Sequence, residues 1–292
     1  MTAFEDARAR GVLDTMIGFP MPREQRARVY DDVRKKTRDA ESKEMEFPAQ
    51  YMFKGVPHHD EVDDPVELLV TKMKQHGITK ALTGLPIGGN PQIALERYPD
   101  MFIPSTKTDP NEGMEGLRKL ENAVRQHGAK ATQCWGTALE PAVPLNDKKM
   151  YPIYAKCIEL DIPIFVYVGI PGPRIPFEPQ YTGLLDEVCW FFPELRIVTR
   201  HGAEPWSELM VKLLLKWPNL YYSTTAFAPS HYNRDVVNFA NTRGADKIIY
   251  GGYYPMGLDI DRIFNELPDV PFRDHVWPKF LYENAARVLK IS

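Results

Sequence analysis

The chain is poor in the residues that most often announce chemistry. It has three cysteines in 292 residues, Cys134, Cys157 and Cys189, and no pair of them has CxxC spacing. That excludes a disulfide framework, makes structural zinc a poor expectation, and points to a thiol-reducing cytoplasm as the compartment. There is no excess charge of one sign. A net charge of −3 and a pI near 6.2 leave no electrostatic footprint for nucleic acid. No apolar run approaches the ~18 residues of a membrane span, and the polar opening Thr2–Arg8 is not expected to be a signal peptide. A GxGxxG turn is missing, as is a GxSxG elbow, so neither a dinucleotide-binding open sheet nor a Ser-His-Asp hydrolase is supported.

What is present is alternation. Apolar content of 43% suffices for a full core, and many of the 26 prolines fall at segment ends. Strand-like runs are expected from Gly11 to Pro20, Ile78 to Pro86, Phe102 to Pro110 and Ala129 to Thr137. Four more follow, from Ile162 to Ile170, Leu195 to Gly202, Asn219 to Ala226 and Lys247 to Tyr254. Helical patterns separate nearly all of them, among them 65–76, 115–127, 148–160, 183–192, 205–217 and 232–242. Two more, 259–266 and 280–289, close the chain. Eight strand–helix units imply a parallel sheet closed into a (β/α)8 TIM barrel, and 292 residues suit one such domain. Residues 21–64 do not fit the alternation and read as an insertion over the barrel mouth. Its first part, Pro22 to Lys43, mixes charges as a solvated helix does; the second carries Phe47, Tyr51, Met52 and Phe53, as a lid does.

In such a barrel the chemistry lies at the C-terminal strand ends. Read in order, these offer Asp14, Met16 and Gly18; Thr83 and Leu85; Thr106, Lys107 and Asp109; Gln133 and Trp135. The remaining four offer Tyr167 and Gly169; Arg200, His201 and Glu204; Ser223, Thr224 and Thr225; Tyr253 and Tyr254. The rim is polar and aromatic, with one histidine and few carboxylates.

The order of these motifs resembles the amidohydrolase-related barrels, the decarboxylase- and lactonase-like enzymes typified by aminocarboxymuconate-semialdehyde decarboxylase. His201-Gly202 is similar to their strand-six "H-G", and Gly251-Gly252-Tyr253-Tyr254-Pro255 to their last-strand "G-S-D-Y-P". Leu13-Asp14 resembles the opening "I-D-x-H-x-H", Tyr167-Val168-Gly169 the strand-five "H-x-G", and 283–289 the terminal helix. The resemblance implies a divalent metal, typically zinc, held by the HxH pair, one histidine each on strands five and six, and the last-strand aspartate. Here those positions hold Met16, Gly18, Tyr167, His201 and Tyr253. One histidine does not make a zinc site, and a phenol ionises only near ~10. No metal and no other cofactor is therefore expected.

The candidate site is accordingly His201 as acid or base, or else as a fold remnant held by hydrogen bonds. Gln133, Trp135, Tyr167, Tyr253 and Lys107 are the candidate ligand-binding residues. Tyr167 and Tyr253 also read as fillers of vacated ligand space. His58-His59-Asp60 with Asp63 and Asp64 reads as a solvated acidic loop, and Cys134 as core filling. Two functions stay open. One is a metal-independent hydrolase or carbon–carbon lyase acting on a small carboxylated or aromatic compound. The other is a non-catalytic subunit paired with a metal-bearing barrel of the same fold. A homo-oligomer or such a hetero-oligomer is the expected assembly.

Overall fold

Short β-branched and aromatic runs, each stopped by proline, glycine or a polar turn, form eight strands. They are β1 (Val12–Asp14), β2 (Ile78–Gly84), β3 (Phe102–Lys107), β4 (Thr132–Cys134), β5 (Ile164–Tyr167), β6 (Ile197–Arg200), β7 (Leu220–Ser223) and β8 (Ile248–Ile249). The structure, a computed structural model, describes residues 2–53, 55–59, 62–85 and 88–291. All neighbouring strands are parallel and follow in sequence order from β1 to β8. A helix lies in every connection, so the (β/α)8 barrel reading holds. The end of the second strand run, Pro86, lies outside the described residues.

Strand alternation fills the interior in layers. Leu13, Leu82, Ile103, Ala131, Phe165, Val198, Tyr221 and Ile249 give one side chain per strand, packed with Ala285, Ala286, Val288 and Leu289 of the terminal helix Asn284–Leu289. That helix closes the N-terminal end of the barrel, where Arg196 Nε donates to Val288 O at 3.1 Å. Two residues further along the strands come Thr15, Gln133, Tyr167, Arg200, Ser223 and Gly251, the layer beneath the mouth. The seam between β8 and β1 is closed by other bonds. Thr15 Oγ1 donates to Tyr250 O at 2.8 Å, Gly252 N to Asp14 Oδ1 at 2.9 Å, and Gly18 N to Tyr254 O at 2.7 Å.

Three expectations change. The last strand pairs over two residues only, because Tyr250 N turns to Phe280 O at 2.9 Å instead of continuing the ladder. The glycines that follow are required by close approach: a Cβ on Gly251 would stand 2.4 Å from Thr225 Cγ2 and 2.7 Å from Ser223 Oγ. The charged stretch 22–43 is three short helices, Arg23–Val29, Asp31–Lys36 and Ala40–Glu44, rather than one solvated helix. It breaks where side chains turn inward. Tyr30 donates to Met256 Sδ at 2.9 Å, and Arg26 is 1% exposed, donating to Pro57 O at 2.7 Å beside the buried Glu46. Helices Ala3–Arg10 and Asn90–Arg97 were not apparent from sequence; the latter begins in a Gly-Gly-Asn-Pro cluster that reads as a turn and buries only Ala94.

Candidate functional site

The strand ends deliver an arc of rings across the mouth. Trp135 stacks on Tyr167 (centroids 5.2 Å, 27°), and Tyr167 meets His201 edge-on (4.8 Å, 86°). His201 in turn meets Tyr253 edge-on (5.2 Å, 84°), and Phe53 of the insertion stacks on Tyr253 (5.5 Å, 28°). Phe47 and Tyr30 extend the arc beyond Phe53. The aromatic insertion therefore does lie over the mouth. Phe53 is seated by Gly257, where a Cβ would come within 2.5 Å of the ring. The insertion is tied down further by Tyr51 Oη donating to Gly172 O at 2.7 Å.

His201 sits just past β6 with φ +66°, a left-handed conformation uncommon outside glycine, asparagine and aspartate. Thr225, two residues past β7, holds it there. Its Oγ1 accepts from His201 N at 2.9 Å and lies 3.1 Å from Nδ1. Burial first, and the Arg200 charge second, pull the imidazole down to about 3. The ring is therefore neutral at physiological pH. It is a hydrogen-bonding group there, far from the near-neutral value that suits a general acid or base.

Gln133 is the polar hub. Tyr167 Oη donates to its Oε1 at 3.1 Å, and Arg200 Nη1 bonds the same oxygen. Tyr167 and Tyr253 make no hydrogen bond to each other or to His201 among the described residues, so their contact with the imidazole is edge-to-face packing. Trp135 Nε1 donates to Gln180 Oε1 at 3.2 Å, which fixes the indole. Lys107 is the parallel register partner of Gln133 and is exposed at the rim. It forms no pair with Asp109, whose Oδ1 accepts from Asn111 N at 2.8 Å. Phe227 is turned away, packed over Gly202 and lining a pocket with Tyr222, Tyr232 and Phe272.

Asp14, 1% exposed, accepts from Gly252 N and from Met16 N (2.8 Å) on one oxygen. Burial pushes its carboxyl up to about 6, against those two hydrogen bonds and the Arg200 charge. Cys134 is buried with its Sγ 3.8 Å from Met150 Sδ, and burial raises the thiol to about 12, as suits core filling. The two loop histidines diverge. His59 Nε2 lies 3.1 Å from Tyr254 Oη, while His58 Nδ1 is 4.0 Å from Glu46 Oε2. Asp60 lies outside the described residues.

These donors do not fit the family's divalent metal. Of the five ligand positions, methionine and glycine fill two, and tyrosines fill two more. The Tyr253 phenol is raised far above its ordinary value, by burial first and then by Tyr30 and Tyr167, and so stays protonated. Among the described residues no three His, Cys, Asp or Glu side chains gather to hold an ion.

Sequence reasoning named the rings, Gln133 and His201. It missed Arg200 as the charged centre of the layer, and it named Phe53 as one of four lid residues without singling it out as the ring that meets Tyr253. Arg200 was detectable, because it stands two residues after the inward Val198 on a fully buried strand. Phe53 sits in an irregular segment with no period to give its direction.

A family model described as amidohydrolase matches residues 92–291, more than half of the chain. No curated protein matches the sequence. Among solved structures, an uncharacterised TIM-barrel protein from Bordetella bronchiseptica is similar at 21% identity and TM-score 0.71, over 96% of this chain and 98% of that one. A 5-carboxyvanillate decarboxylase from Novosphingobium aromaticivorans, solved with manganese and a nitrobenzoic acid, follows at 17% and 0.66, over 96% and 97%. A 2,6-dihydroxybenzoate decarboxylase from Rhizobium gives 15% and 0.60, over 96% and 98%. At these identities the structures establish the shared barrel. With the family match over the last six strands and the motif order of the strand ends, the chain belongs to the amidohydrolase family.

Proposed function

We propose that this chain binds a small aromatic carboxylate in the barrel mouth. As an enzyme it acts on that compound as a hydrolase or carbon–carbon lyase without the family's bound metal. The observation that carries the reading is the arc of Trp135, Tyr167, His201 and Tyr253 around the Gln133 amide. Flat faces suit a planar ring, and the amide supplies an orienting hydrogen bond at its base. The decarboxylases that share the barrel act on hydroxylated benzoates by their names, which supports the same ligand class here. In this reading Trp135, Tyr167 and Tyr253 stack on or border the ring. Gln133 orients it, Lys107 guides an anion at the rim, and neutral His201 offers a ring nitrogen as a hydrogen-bond partner.

The test is a thermal-shift and turnover screen of small aromatic carboxylates on chelator-treated protein. A ligand at a hundred times its Kd stabilises by about 2.7 kcal/mol, or roughly 5 °C in Tm. A shift of that size that survives the chelator supports the reading, and released carbon dioxide or a hydrolysis product then names the reaction. If no carboxylate in the panel moves Tm, the reading is wrong.

A second reading is favoured by a different observation. Val29, Tyr51 and Met52 of the insertion are each at least 50% exposed, and Phe53 covers the mouth as a seal does. A non-catalytic subunit docking through this face onto a metal-bearing barrel of its own fold accounts for both. Co-expression with such a relative from the same host tests it: a stoichiometric complex supports this reading, and separate elution of the two chains removes it.

A further inference from the structure

Beside His201, one of the five positions at which the family would hold its metal, this chain carries a buried guanidinium. Arg200, the last residue of β6, is 4% exposed in the layer beneath the mouth. Its Nη2 donates to Thr15 O at 2.7 Å, its Nη1 to Gln133 Oε1, and it lies 4.5 Å from the centroid of the Phe165 ring. These direct partners are neutral, and the carboxyl that feels its charge is the buried Asp14. Among the described residues its Nε has no hydrogen-bond partner, and Arg200 forms no salt bridge. A buried guanidinium without a direct ion pair is costly, and Asp14, whose ionisation the Arg200 charge favours, compensates it only at a distance.

The arrangement gives that charge an outlet. Arginine accepts no hydrogen bond, so the Gln133 carbonyl oxygen must face it, and Tyr167 donates to the same oxygen. The amide orientation is thereby fixed by chemistry. The Gln133 Nε2 donors, on a half-buried side chain, are left without a partner among the described residues. Two donors on Oε1, one of them cationic, polarise the amide and strengthen those N–H groups.

We propose that Arg200 is the specificity-determining cation of the mouth, taking the electrostatic place of the family's metal and selecting a carboxylate through the Gln133 amide. The inference rests on the ligand class proposed above and goes further by naming what distinguishes an anion from its neutral twin. Arg200 acts through Gln133, so it is a positioning residue whose mark is a selectivity ratio.

The experiment is isothermal titration of the full chain with benzoate and with benzamide, for the wild type and two variants. Wild type should favour benzoate about tenfold or more, as hydrogen bonding to a charged group implies. Arg200→Gln should bring the ratio to about threefold or less while benzamide affinity stays within about threefold. Gln133→Glu places a carboxylate against Arg200 without changing side-chain shape, and should collapse the ratio in the same way even if Arg200→Gln fails to fold. An unchanged benzoate preference in the variants overturns the role of Arg200 alone. So does an equal loss for both ligands, which marks a structural effect. A wild type that binds neither compound removes the ligand reading and this inference with it.

Discussion

Asp14→Asn isolates a buried carboxyl whose ionisation opposes folding at neutral pH. In the folded chain the Asp14 carboxyl keeps its proton up to about 6, because burial outweighs two backbone hydrogen bonds and the Arg200 charge. In the unfolded chain it ionises near ~3.9. Between these values the folded state binds more protons, so the contribution of Asp14 to stability is fully present at low pH. It is lost as pH rises through about 6. At 1.36 kcal/mol per pH unit the loss amounts to about 3 kcal/mol above pH 7. An asparagine keeps an oxygen for Gly252 N and Met16 N, so the backbone bonds survive. His201 acts in the reverse direction: its depressed value makes stability present above ~6.5 and lost as pH falls toward about 3. The two therefore mask each other in the wild type over pH 4 to 6. Urea unfolding of both proteins from pH 4 to 8 measures the difference. Relative to wild type, Asp14→Asn should gain about 3 kcal/mol between pH 4 and 7. A flat difference, or a variant less stable than wild type at pH 8, would refute the reasoning.

Other substitutions probe the mouth. His201→Asn preserves a residue type that tolerates φ +66°, so stability at pH 7 should stay within about 1 kcal/mol by denaturant unfolding. Acid sensitivity between pH 6 and 4 should diminish, and turnover, once a substrate is found, should disappear. Gly251→Ala should destabilise by about 2–3 kcal/mol or more, because its Cβ meets Thr225, Ser223 and Thr15 atoms at 2.4, 2.7 and 2.9 Å. A thermal scan checks it, and a change below about 0.5 kcal/mol would mean the seam can relax. Gly257→Ala should cost about 1–2 kcal/mol and loosen the insertion, because Phe53 is seated against that glycine. Faster proteolysis within 21–64 is the readout.

Most of the barrel was legible because its signal is repetitive. Strands such as Ile164–Tyr167 alternate with amphipathic helices such as Pro65–Gln75, and the terminal helix carries its own motif. Strand ends were overestimated, since a residue such as Tyr250 keeps its strand-like type while its backbone bonds elsewhere. The insertion was misread over 22–43 because mixed charge signals exposure on average, whereas one inward residue, Arg26, decides the path. In the site, residue types showed which metal ligands had been exchanged. They did not show that burial holds His201 neutral, nor that Arg200 and Tyr167 share one Gln133 oxygen. Those facts depend on desolvation and on side-chain direction across three strands.

The central claim is that the strand-end residues of this chain do not fit the family's divalent metal. Elemental mass spectrometry on untagged protein purified from its own host tests it directly. The donor set predicts less than about a tenth of an equivalent of any transition metal per chain. A stoichiometric metal held by this chain alone would contradict the account and require ligands other than those at the strand ends.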